Sequence, residues 1–330
     1  MTTSPRPGSP DWLRPLGRTG LRVSAVCAGG GRLGSLPRLY GHDVSSDQGV
    51  ATVRAVLDSP IRVIDTSNGY SDGESERRIG EALAVSGGVP RDFLVVTKVD
   101  ARGRDYSAAR VRASVAESRD RLGMAALPLV HLHDPEYFDF DEVTAPGGAV
   151  DALVALKESG QVGSIGLAGG RVQEMARYLA LGVFDVLLIH NRWTLVDRSA
   201  GALIDEALGR GMGIFNAAVY GGGILASTPG PDRQAGPTTY GYRPAPPEVL
   251  DAVTAMRRVC TEHGTDLTTA ALQFSVRDRR FASTVIGMSR PERVDQTLAA
   301  AASPVPDAIW DELESLLPPE CVWLDAPFDT

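Results

Sequence analysis

Eight short apolar runs alternate with eight stretches of helical periodicity along the 330 residues of the chain. The strand-like runs fall near residues 23–28, 61–65, 93–98, 127–133, 162–167, 184–190, 213–219 and 282–286. The helical patterns fall near residues 46–58, 74–84, 107–122, 149–159, 171–181, 199–209, 246–263 and 291–302. Nearly continuous apolar strands are typical of parallel sheets covered on both faces. The alternation therefore predicts an α/β fold, a closed (β/α)8 TIM barrel.

Several additions to this barrel are expected within one domain that covers residues 1–330, because no linker divides the chain. A polar, Pro-rich extension precedes the first strand, and a C-terminal helix begins near Asp307. Residues 219–247 form a loop rich in Gly, Pro, Thr and Tyr after strand seven, and 267–276 form an extra helix before strand eight. A loop of this length inside a compact fold is usually functional.

Composition and charge exclude several classes of protein. The net charge of −8 and the isoelectric point near 5.2 argue against a nucleic-acid partner, since phosphate binding needs a basic surface. Residues 211–231 carry no charge, but six glycines and two prolines argue against a membrane-spanning helix. Three cysteines without a CxxC motif, and a polar N-terminus, give no disulfide framework, zinc site or signal peptide. We predict a cytoplasmic protein without a membrane partner, and the oligomeric state stays open.

Four reactive side chains stand at or just after the ends of consecutive predicted strands. Asp65 ends the run at 61–65 and Tyr70 follows five residues later, while Lys98 and His133 end the next two runs. The C-terminal ends of barrel strands meet at one mouth, where the chemistry of TIM barrels takes place. We therefore expect a carboxylate, a phenol, an ammonium and an imidazole around one pocket that transfers a proton to a carbonyl.

Each of these residues has an expected role. A free phenol has a pKa near 10, and a neighbouring Lys98 ammonium would lower the pKa of Tyr70. Asp65 would pair with Lys98 and keep it charged, and His133 would donate to the substrate oxygen. Any one of the four alone fits a structural ion pair or a capped strand end better than a catalytic role. Their joint placement favours catalysis.

At these residues the chain resembles the aldo-keto reductase superfamily. The matching segments are Leu16 to Ser24, Asp65 to Tyr70, Glu74 to Gly80, Thr97-Lys98 and His133-Asp134-Pro135. The segment Asn191 to Leu195 is most similar to the branch of L-fucose and D-threo-aldose 1-dehydrogenases and pyridoxal 4-dehydrogenase-like proteins. The resemblance implies a barrel that binds NADP(H) or NAD(H) without a Rossmann domain. It also implies hydride transfer to or from a carbonyl, an alcohol or a cyclic hemiacetal such as a sugar lactol or a pyridoxal-like substrate.

The resemblance also implies where the cofactor binds. After strands five and six, Ala168-Gly169 and either His190 or Asn191 would hold the carboxamide, with Asn191 preferred. The loop after strand seven would cover the pyrophosphate with Tyr220, Gly221, Gly222, Gly223 and Leu225. The segment after strand eight would hold the adenosine phosphate with Gly287, Ser289, Arg290 and Arg293. No metal is implied.

Arginines give a slight preference for NADP(H) over NAD(H), because Arg290 or Arg293 would bind a 2′-phosphate bidentately. Met288 opposes this preference, since a basic side chain there would strengthen it. The substrate would be a small carbonyl or hemiacetal compound. Its candidate pocket residues are Trp193, Tyr40, Tyr137 and Phe138, although each aromatic side chain also fits core or surface packing.

Other functions remain as alternatives. Residues 29–34 satisfy GxGxxG, but no helix start or acidic residue at the spacing of a Rossmann domain follows. A metal-dependent hydrolase would place zinc on His131, His133 and Asp134. Only five histidines occur, no second ligand-rich strand end is present, and His131 is expected to pack inside the barrel. A non-catalytic nicotinamide-binding protein is the third alternative, and the complete Asp-Tyr-Lys-His set argues against it.

Overall fold

The computed structural model describes residues 5–35, 43–226 and 238–325. Within these ranges eight parallel strands close into one barrel in sequence order, with strand eight beside strand one. The strands are β1 Val26–Gly29, β2 Val63–Asp65, β3 Leu94–Val99, β4 Leu127–His133, β5 Val162–Gly169, β6 Val186–His190, β7 Gly213–Ala217 and β8 Ser283–Gly287. The closed barrel predicted from the alternating pattern is confirmed. The assignment of residues 1–330 to a single domain stays a prediction.

Helices cover the outside of the barrel. They are α1 Ser46–Leu57, α2 Glu74–Val85, α3 Ala108–Leu122, α4 Phe140–Thr144, α5 Ala149–Glu158, α6 Val172–Ala180, α7 Gly201–Gly209, α8 Pro247–Glu262, α9 Leu267–Arg277, α10 Glu292–Ala302 and α11 Ile309–Ser315. Four of them begin with a side-chain cap, in which Ser45, Ser107, Asp139 or Asp266 accepts a backbone N–H from the first turn. None of the helices in the described ranges has the length and apolar character needed to cross a bilayer.

The prediction of one continuous strand over residues 23–28 is wrong, because two separate strands cover this segment. Residues Arg22–Ser24 pair antiparallel with Leu13–Pro15, and β1 starts only after Ala25. The hairpin brings Leu16 and Val23, both fully buried, into the same apolar cluster as barrel-strand residues such as Phe215. The N-terminal extension therefore contributes to the barrel core. This leaves the C-terminal ends of the strands as the place for a polar pocket.

The register of the strands sets the position of the predicted catalytic side chains. In the parallel pair β2–β3, Asp65 lies opposite Val96. Lys98 follows Val96 by two residues, so its side chain lies on the same face of β3 as Val96 and closer to the mouth. In the pair β4–β5, His133 lies opposite Ala168. The ends of β2, β3 and β4 consequently meet at the same rim.

Candidate active site

A buried lysine connects the carboxylate and the phenol at this rim. Lys98 is 1% exposed, and its Nζ donates to Asp65 Oδ2 at 2.7 Å and to the Thr66 carbonyl at 2.7 Å. The same nitrogen donates to the Tyr70 hydroxyl at 3.3 Å. All three donors of the ammonium therefore have partners, and the phenol is held by a fixed positive charge.

The charges of this group follow from its burial and its partners. Burial disfavours the Lys98 ammonium, but the interactions with Asp65 and Tyr70 together outweigh this effect and the pKa of Lys98 rises. Desolvation also raises the pKa of Tyr70, and Lys98 offsets only part of the rise. The lowered Tyr70 pKa predicted from the sequence is therefore wrong, because desolvation of the phenol exceeds the effect of the ammonium. Tyr70 is a neutral phenol at pH 7.

His133 faces Tyr70 from the end of β4. The two rings meet edge to face with centroids 5.7 Å apart. His133 Nδ1 lies 2.6 Å from Asp100 Oδ1 and 3.2 Å from Ser67 Oγ. Ser67 Oγ and the Gly69 N–H, the latter at 2.6 Å, both donate to Asp100 Oδ2. Asp100 is thus held in place by two donors and in turn occupies Nδ1, which leaves Nε2 as the nitrogen available to a substrate.

The His133–Asp100 pair favours the charged imidazole. Burial lowers the pKa of His133, but the carboxylates of Asp100 and Asp134 together outweigh burial and the net direction is upward. For Asp100, burial acts to raise the pKa, but His133 and the hydrogen bonds from Ser67 and the Gly69 N–H together outweigh it and the net direction is downward. Because Nδ1 donates to Asp100, Nε2 carries a proton only in the imidazolium form. The pair can therefore present a cationic N–H donor to an oxygen in the pocket.

The end of β6 is braced by the loop that returns after β7. Asn191 is 1% exposed and has a left-handed backbone with φ of 62°. Its carbonyl accepts a hydrogen bond from the Tyr240 hydroxyl, which also bonds Thr194 Oγ1 at 2.9 Å. The Asn191 Nδ2 lies 3.1 Å from His190 Nδ1. Asn191 as the carboxamide partner stays a prediction, and His190 is turned with its Nε2 toward Asp134 at 3.8 Å.

The absence of a side chain at Gly169 has a structural cause. A Cβ at this position would lie 2.4 Å from Glu136 Oε2 and 2.6 Å from Met175 Sδ. The neighbouring Ala168 points into the buried cluster inside the barrel. The Glu136 carboxylate, from the loop after β4, therefore occupies the space that a side chain at position 169 would need.

The loop after β7 presents bare backbone near the mouth. Gly221, Gly222 and Gly223 have φ values of 56°, 77° and 110°, in the left-handed region that favours glycine. A Cβ at Gly222 would meet only the Thr239 carbonyl oxygen at 3.9 Å, so this backbone faces open space. The Leu225 side chain is fully buried in an apolar cluster and its N–H donates to the Tyr220 carbonyl at 3.2 Å, so its contact with the cofactor stays a prediction.

A second open segment lies at the end of β8. Gly287 is exposed, and a Cβ there would meet only Arg32, with Cδ at 3.7 Å and Nε at 3.8 Å. Ser289 is 9% exposed, and its carbonyl accepts from Gln48 Nε2 at 2.7 Å. The α1 helix therefore supports the predicted phosphate-binding segment from beneath.

Two arginines flank this segment on the solvent side. The Arg290 side chain is 52% exposed and lies 3.8 Å from Glu292. Arg293 is also exposed, and its charge opposes the rise that burial causes in the pKa of Tyr220. The loops after β7 and β8 thus approach each other with positive charge between them. A basic, glycine-lined edge of this kind suits an anionic phosphate group.

The aromatic residues predicted for the substrate pocket are placed differently from the expectation. Trp193 does not contact the catalytic residues, since its ring stacks on Phe274 and packs against Phe281, each with centroids 6.3 Å away. Its role in substrate binding stays a prediction. Phe138 packs against Tyr106 at 4.9 Å.

The other two pocket predictions are not decided. Tyr137 is 62% exposed with Arg171 above its ring. Its role in substrate binding stays a prediction. Tyr40 lies outside the described residues.

Two polar residues at the mouth were not identified by any motif. Asp100 follows β3 directly and reaches His133 on the next strand, a contact between loops that sequence spacing does not reveal. Arg32 lies in the Gly-rich segment 29–34, which forms a single 3₁₀ turn after β1. The closure of β8 onto β1, with Gly287 opposite Gly29, brings this arginine to the predicted phosphate edge.

The comparison with known proteins agrees with this geometry. Residues 25–318 match the model of the Aldo/keto reductase family, which is most of the chain. The chain belongs to this family. It is accordingly an NAD(P)-dependent oxidoreductase, and the Rossmann and hydrolase alternatives are not supported. His131, the first ligand of the proposed zinc site, packs inside the barrel with its ring 6.3 Å from that of Phe215.

Curated relatives align along almost the full chain. L-galactose dehydrogenase from Arabidopsis thaliana is 33% identical, covering 92% of this chain and 89% of the relative. D-threo-aldose 1-dehydrogenase from a Pseudomonas species is 30% identical, with 89% and 94% covered. Pyridoxal 4-dehydrogenase from Microbacterium luteolum is 29% identical, with 92% and 96% covered. The resemblance to this branch of the aldo-keto reductases is confirmed.

A solved structure supports the fold independently. The holo form of an aldo-keto reductase from Bacillus halodurans superposes with a TM-score of 0.75 at 21% sequence identity. The match covers 92% of this chain and 96% of the other. This chain and that reductase therefore share the same overall fold.

The described residues fit the nicotinamide cofactor that the family uses. Bare backbone at Gly222 and Gly287 gives phosphate oxygens close access, and Arg290 and Arg293 supply positive charge beside them. The buried Asn191 lies at the end of β6, where an amide can meet a carboxamide. The site therefore combines a proton-transfer group with an anion-binding edge.

Proposed function

We propose that this oxidoreductase interconverts a cyclic hemiacetal and its lactone, with Tyr70 as the general acid and base. The observation that supports this most strongly is the Lys98 ammonium, which bonds both Asp65 and the Tyr70 hydroxyl while His133 faces the same phenol. When bound, the nicotinamide cofactor accepts the hydride that leaves the substrate carbon. In oxidation the hydroxyl proton of the substrate passes to the Tyr70 oxygen, and in reduction the phenol returns a proton to the carbonyl oxygen. Lys98 stabilises the phenolate form that appears between these steps.

His133 acts on the same substrate oxygen from the other side of the pocket. Asp100 holds Nδ1, so the imidazolium Nε2–H is the group that faces the substrate. A cationic donor stabilises negative charge that develops on a carbonyl oxygen during reduction. Tyr70 is held by the buried Lys98 and His133 by Asp100, so both groups are positioned before a substrate binds.

A hemiacetal substrate is favoured by the chemistry of the relatives and of the reaction. L-galactose dehydrogenase and D-threo-aldose 1-dehydrogenase are named for oxidation of sugars, which exist mainly as lactols. The ring oxygen beside the reacting C–H donates electron density as hydride leaves, which lowers the barrier to oxidation. Open-chain aldehydes lack this assistance in the oxidative direction.

The cofactor we propose is NADP(H), with NAD(H) a close second. Arg290 and Arg293 are exposed at the beginning of α10, where the family places the adenosine phosphate. Arg32 adds a third guanidinium on the other side of Gly287. The cytoplasm is the compartment we propose, since Cys27, Cys260 and Cys321 are free thiols, which suits a reducing environment.

The proposal is tested with Tyr70→Phe and a panel of lactols, matched aldehydes and both cofactors. General acid–base catalysis is worth about 10²–10⁴-fold in rate, so Tyr70→Phe should lose that much kcat and retain cofactor binding. Tyr242→Phe is the matched control, because Tyr242 is 74% exposed. Unchanged turnover in Tyr70→Phe would eliminate the mechanism. Activity confined to reduction of open-chain aldehydes would eliminate the hemiacetal substrate. Cofactor binding without turnover of any compound in the panel would favour the non-catalytic alternative.

A further inference from the structure

A cavity on the outer flank of the barrel has no role in the reaction proposed above. Its volume is about 420 Å³, and its walls come from the loop after β6, the end of α9 and the helix α11. Tyr70, Lys98 and His133 do not line it. Small-molecule sites commonly have volumes of roughly 300–1,000 Å³. This cavity is therefore large enough for a small organic compound and is separate from the substrate pocket.

Three aromatic side chains line this cavity. Trp193 and Phe274 lie nearly parallel, with 24° between their planes and 6.3 Å between their centroids, and Trp310 of α11 adds a third ring. Leu195 and Leu313, each 2% exposed, are the aliphatic residues of the lining. Aromatic faces and edges pack favourably against other rings. The cavity therefore suits a flat apolar group.

Arg277, the last residue of α9, brings a guanidinium to the same space. Its Cζ lies over the Trp310 ring, 4.3 Å from the centroid. Stacking of this kind occupies the face of a guanidinium and leaves its N–H groups available in the plane. Within the ranges that the structure describes, the Arg277 side chain forms no hydrogen bond, and its closest carboxylate is that of Asp307 at 4.0 Å. The N–H groups can therefore bind a ligand.

The carboxylates of Asp278 and Glu314, which also line the cavity, are already paired with other arginines. Asp278 Oδ2 accepts from Arg280 Nη2 at 2.8 Å, and Glu314 Oε2 accepts from Arg198 Nη2 at 2.7 Å. Neither carboxylate therefore serves as a hydrogen-bonded counter-charge for Arg277. Burial lowers the pKa of Arg277, and neighbouring carboxylates offset only part of the fall. An anion in the cavity would supply the charge that this guanidinium lacks.

We propose that this cavity binds a small organic carboxylate, with the anion on Arg277 and a flat apolar ring against Trp193, Phe274 and Trp310. A carboxylate is planar and matches the fork of guanidinium N–H groups with two parallel hydrogen bonds. The single charge of a carboxylate is favoured over the nearly double charge of a phosphate, because the acids of the lining repel a second negative charge. The site lies apart from the proton-transfer group and does not depend on the proposed reaction.

Matched acids and amides measure the contribution of the anion. The protein, saturated with cofactor, is titrated by calorimetry with benzoate, phenylacetate and indole-3-acetate, and with the neutral amide of each acid. The wild type should bind at least one of these acids at least about tenfold more tightly than its amide, because only the acid forms a charge-assisted pair with a guanidinium. Equal affinities within every pair, or no measurable binding of any of these acids, would overturn the inference.

Substitutions of Arg277 locate the anion. In Arg277→Gln the ratio of the two affinities should fall toward one, whereas Arg277→Lys should retain part of it, since lysine keeps the charge but not the planar fork of donors. Arg258→Gln removes an arginine that is 72% exposed on α8 and should leave the ratio unchanged. A ratio unaffected by Arg277→Gln would show that this arginine does not bind the anion.

Two further variants distinguish this cavity from the catalytic pocket. Leu313→Phe narrows the cavity without changing a charge, so it should weaken the acid and the amide together, and it keeps the test valid if Arg277→Gln does not fold. Chemical denaturation of each variant establishes that it is folded. Affinities of Leu313→Phe equal to those of the wild type would place the ligand elsewhere and overturn the inference. His133 also offers a cation to an acid, so binding that is lost in His133→Asn and kept in Arg277→Gln would assign the anion to the catalytic pocket instead.

Discussion

Asp100 Oδ1 lies 2.6 Å from Nδ1 of His133, and this contact decides which form of the imidazole faces the pocket. The carboxylate is itself fixed by Ser67 and by the Gly69 N–H. An ion pair with this support keeps His133 charged to higher pH than a free histidine. Asp100, directly after β3, is therefore a positioning residue for His133 at the end of β4.

Replacing Asp100 should change the pKa of His133. Asp100→Asn keeps the shape of the side chain but removes its charge, so the pKa of His133 should fall. NMR titration of the His133 ring C–H signals measures the change, and Asp120→Asn, an exposed carboxylate in α3, serves as the control. A His133 pKa equal to that of the wild type would show that the carboxylate does not set it.

The same pair predicts how stability depends on pH. The folded pKa of His133 is raised above the unfolded value near 6.5, so its contribution is fully present below about pH 6.5. That contribution is lost as pH rises through the folded pKa. Denaturant unfolding at several pH values should show this loss in the wild type and a smaller one in Asp100→Asn. Equal pH dependence in the two proteins would contradict the linkage.

The pH dependence of turnover should follow Tyr70 in the oxidative direction. Desolvation holds its pKa above the ordinary value near 10, so the phenolate that accepts the substrate proton is scarce at neutral pH. The rate of lactol oxidation should therefore rise steadily from pH 6 to 9, whereas reduction should fall as His133 loses its proton. Rates measured with a C1-deuterated substrate establish that the chemical step is observed. A flat oxidation profile would mean that the phenol is not the base.

The fold could be predicted because apolar runs and helical periodicity report burial directly, and burial on both faces leaves a parallel barrel as the solution. Asp65, Tyr70, Lys98 and His133 could be grouped because strand ends of a barrel meet at one rim. Asp100 lies in a loop whose contact with His133 depends on backbone conformation, and no spacing rule reveals it. Trp193 shows what sequence cannot supply: its ring packs on Phe274 and Phe281, and these contacts depend on how the chain turns after the strand end.

Cofactor preference should depend on the arginines at the end of β8. Arg290→Ala should weaken NADP(H) about ten- to a hundredfold and NAD(H) much less, because only the former carries a 2′-phosphate for a charge-assisted hydrogen bond. Arg32→Ala should weaken both cofactors if this residue meets the pyrophosphate beside Gly287. Dissociation constants from fluorescence titration compare them, with Arg258→Ala as the control, since Arg258 is 72% exposed on α8. Equal losses of NADP(H) and NAD(H) in Arg290→Ala would show that Arg290 does not bind the 2′-phosphate.

Alanine substitutions at two adjacent glycines after β7 distinguish the effect of backbone strain from the effect of a steric clash. Gly221 and Gly222 both have left-handed φ values, so alanine at either position carries the same kind of backbone penalty. A Cβ at Gly221 would lie 2.6 Å from the ring of Tyr240, whereas one at Gly222 would meet nothing closer than 3.9 Å. Because Tyr240 holds the Asn191 carbonyl, displacing its ring also disturbs the end of β6.

Gly221→Ala should therefore lower the free energy of unfolding by about 1–3 kcal/mol more than Gly222→Ala, the usual cost of overpacking. It should also weaken cofactor binding in proportion to the shift of Asn191. Chemical denaturation and cofactor titration of the two variants check both effects. Equal destabilisation by the two substitutions would show that the Tyr240 ring moves aside without loss of stability. The packing of this loop would then not affect the end of β6.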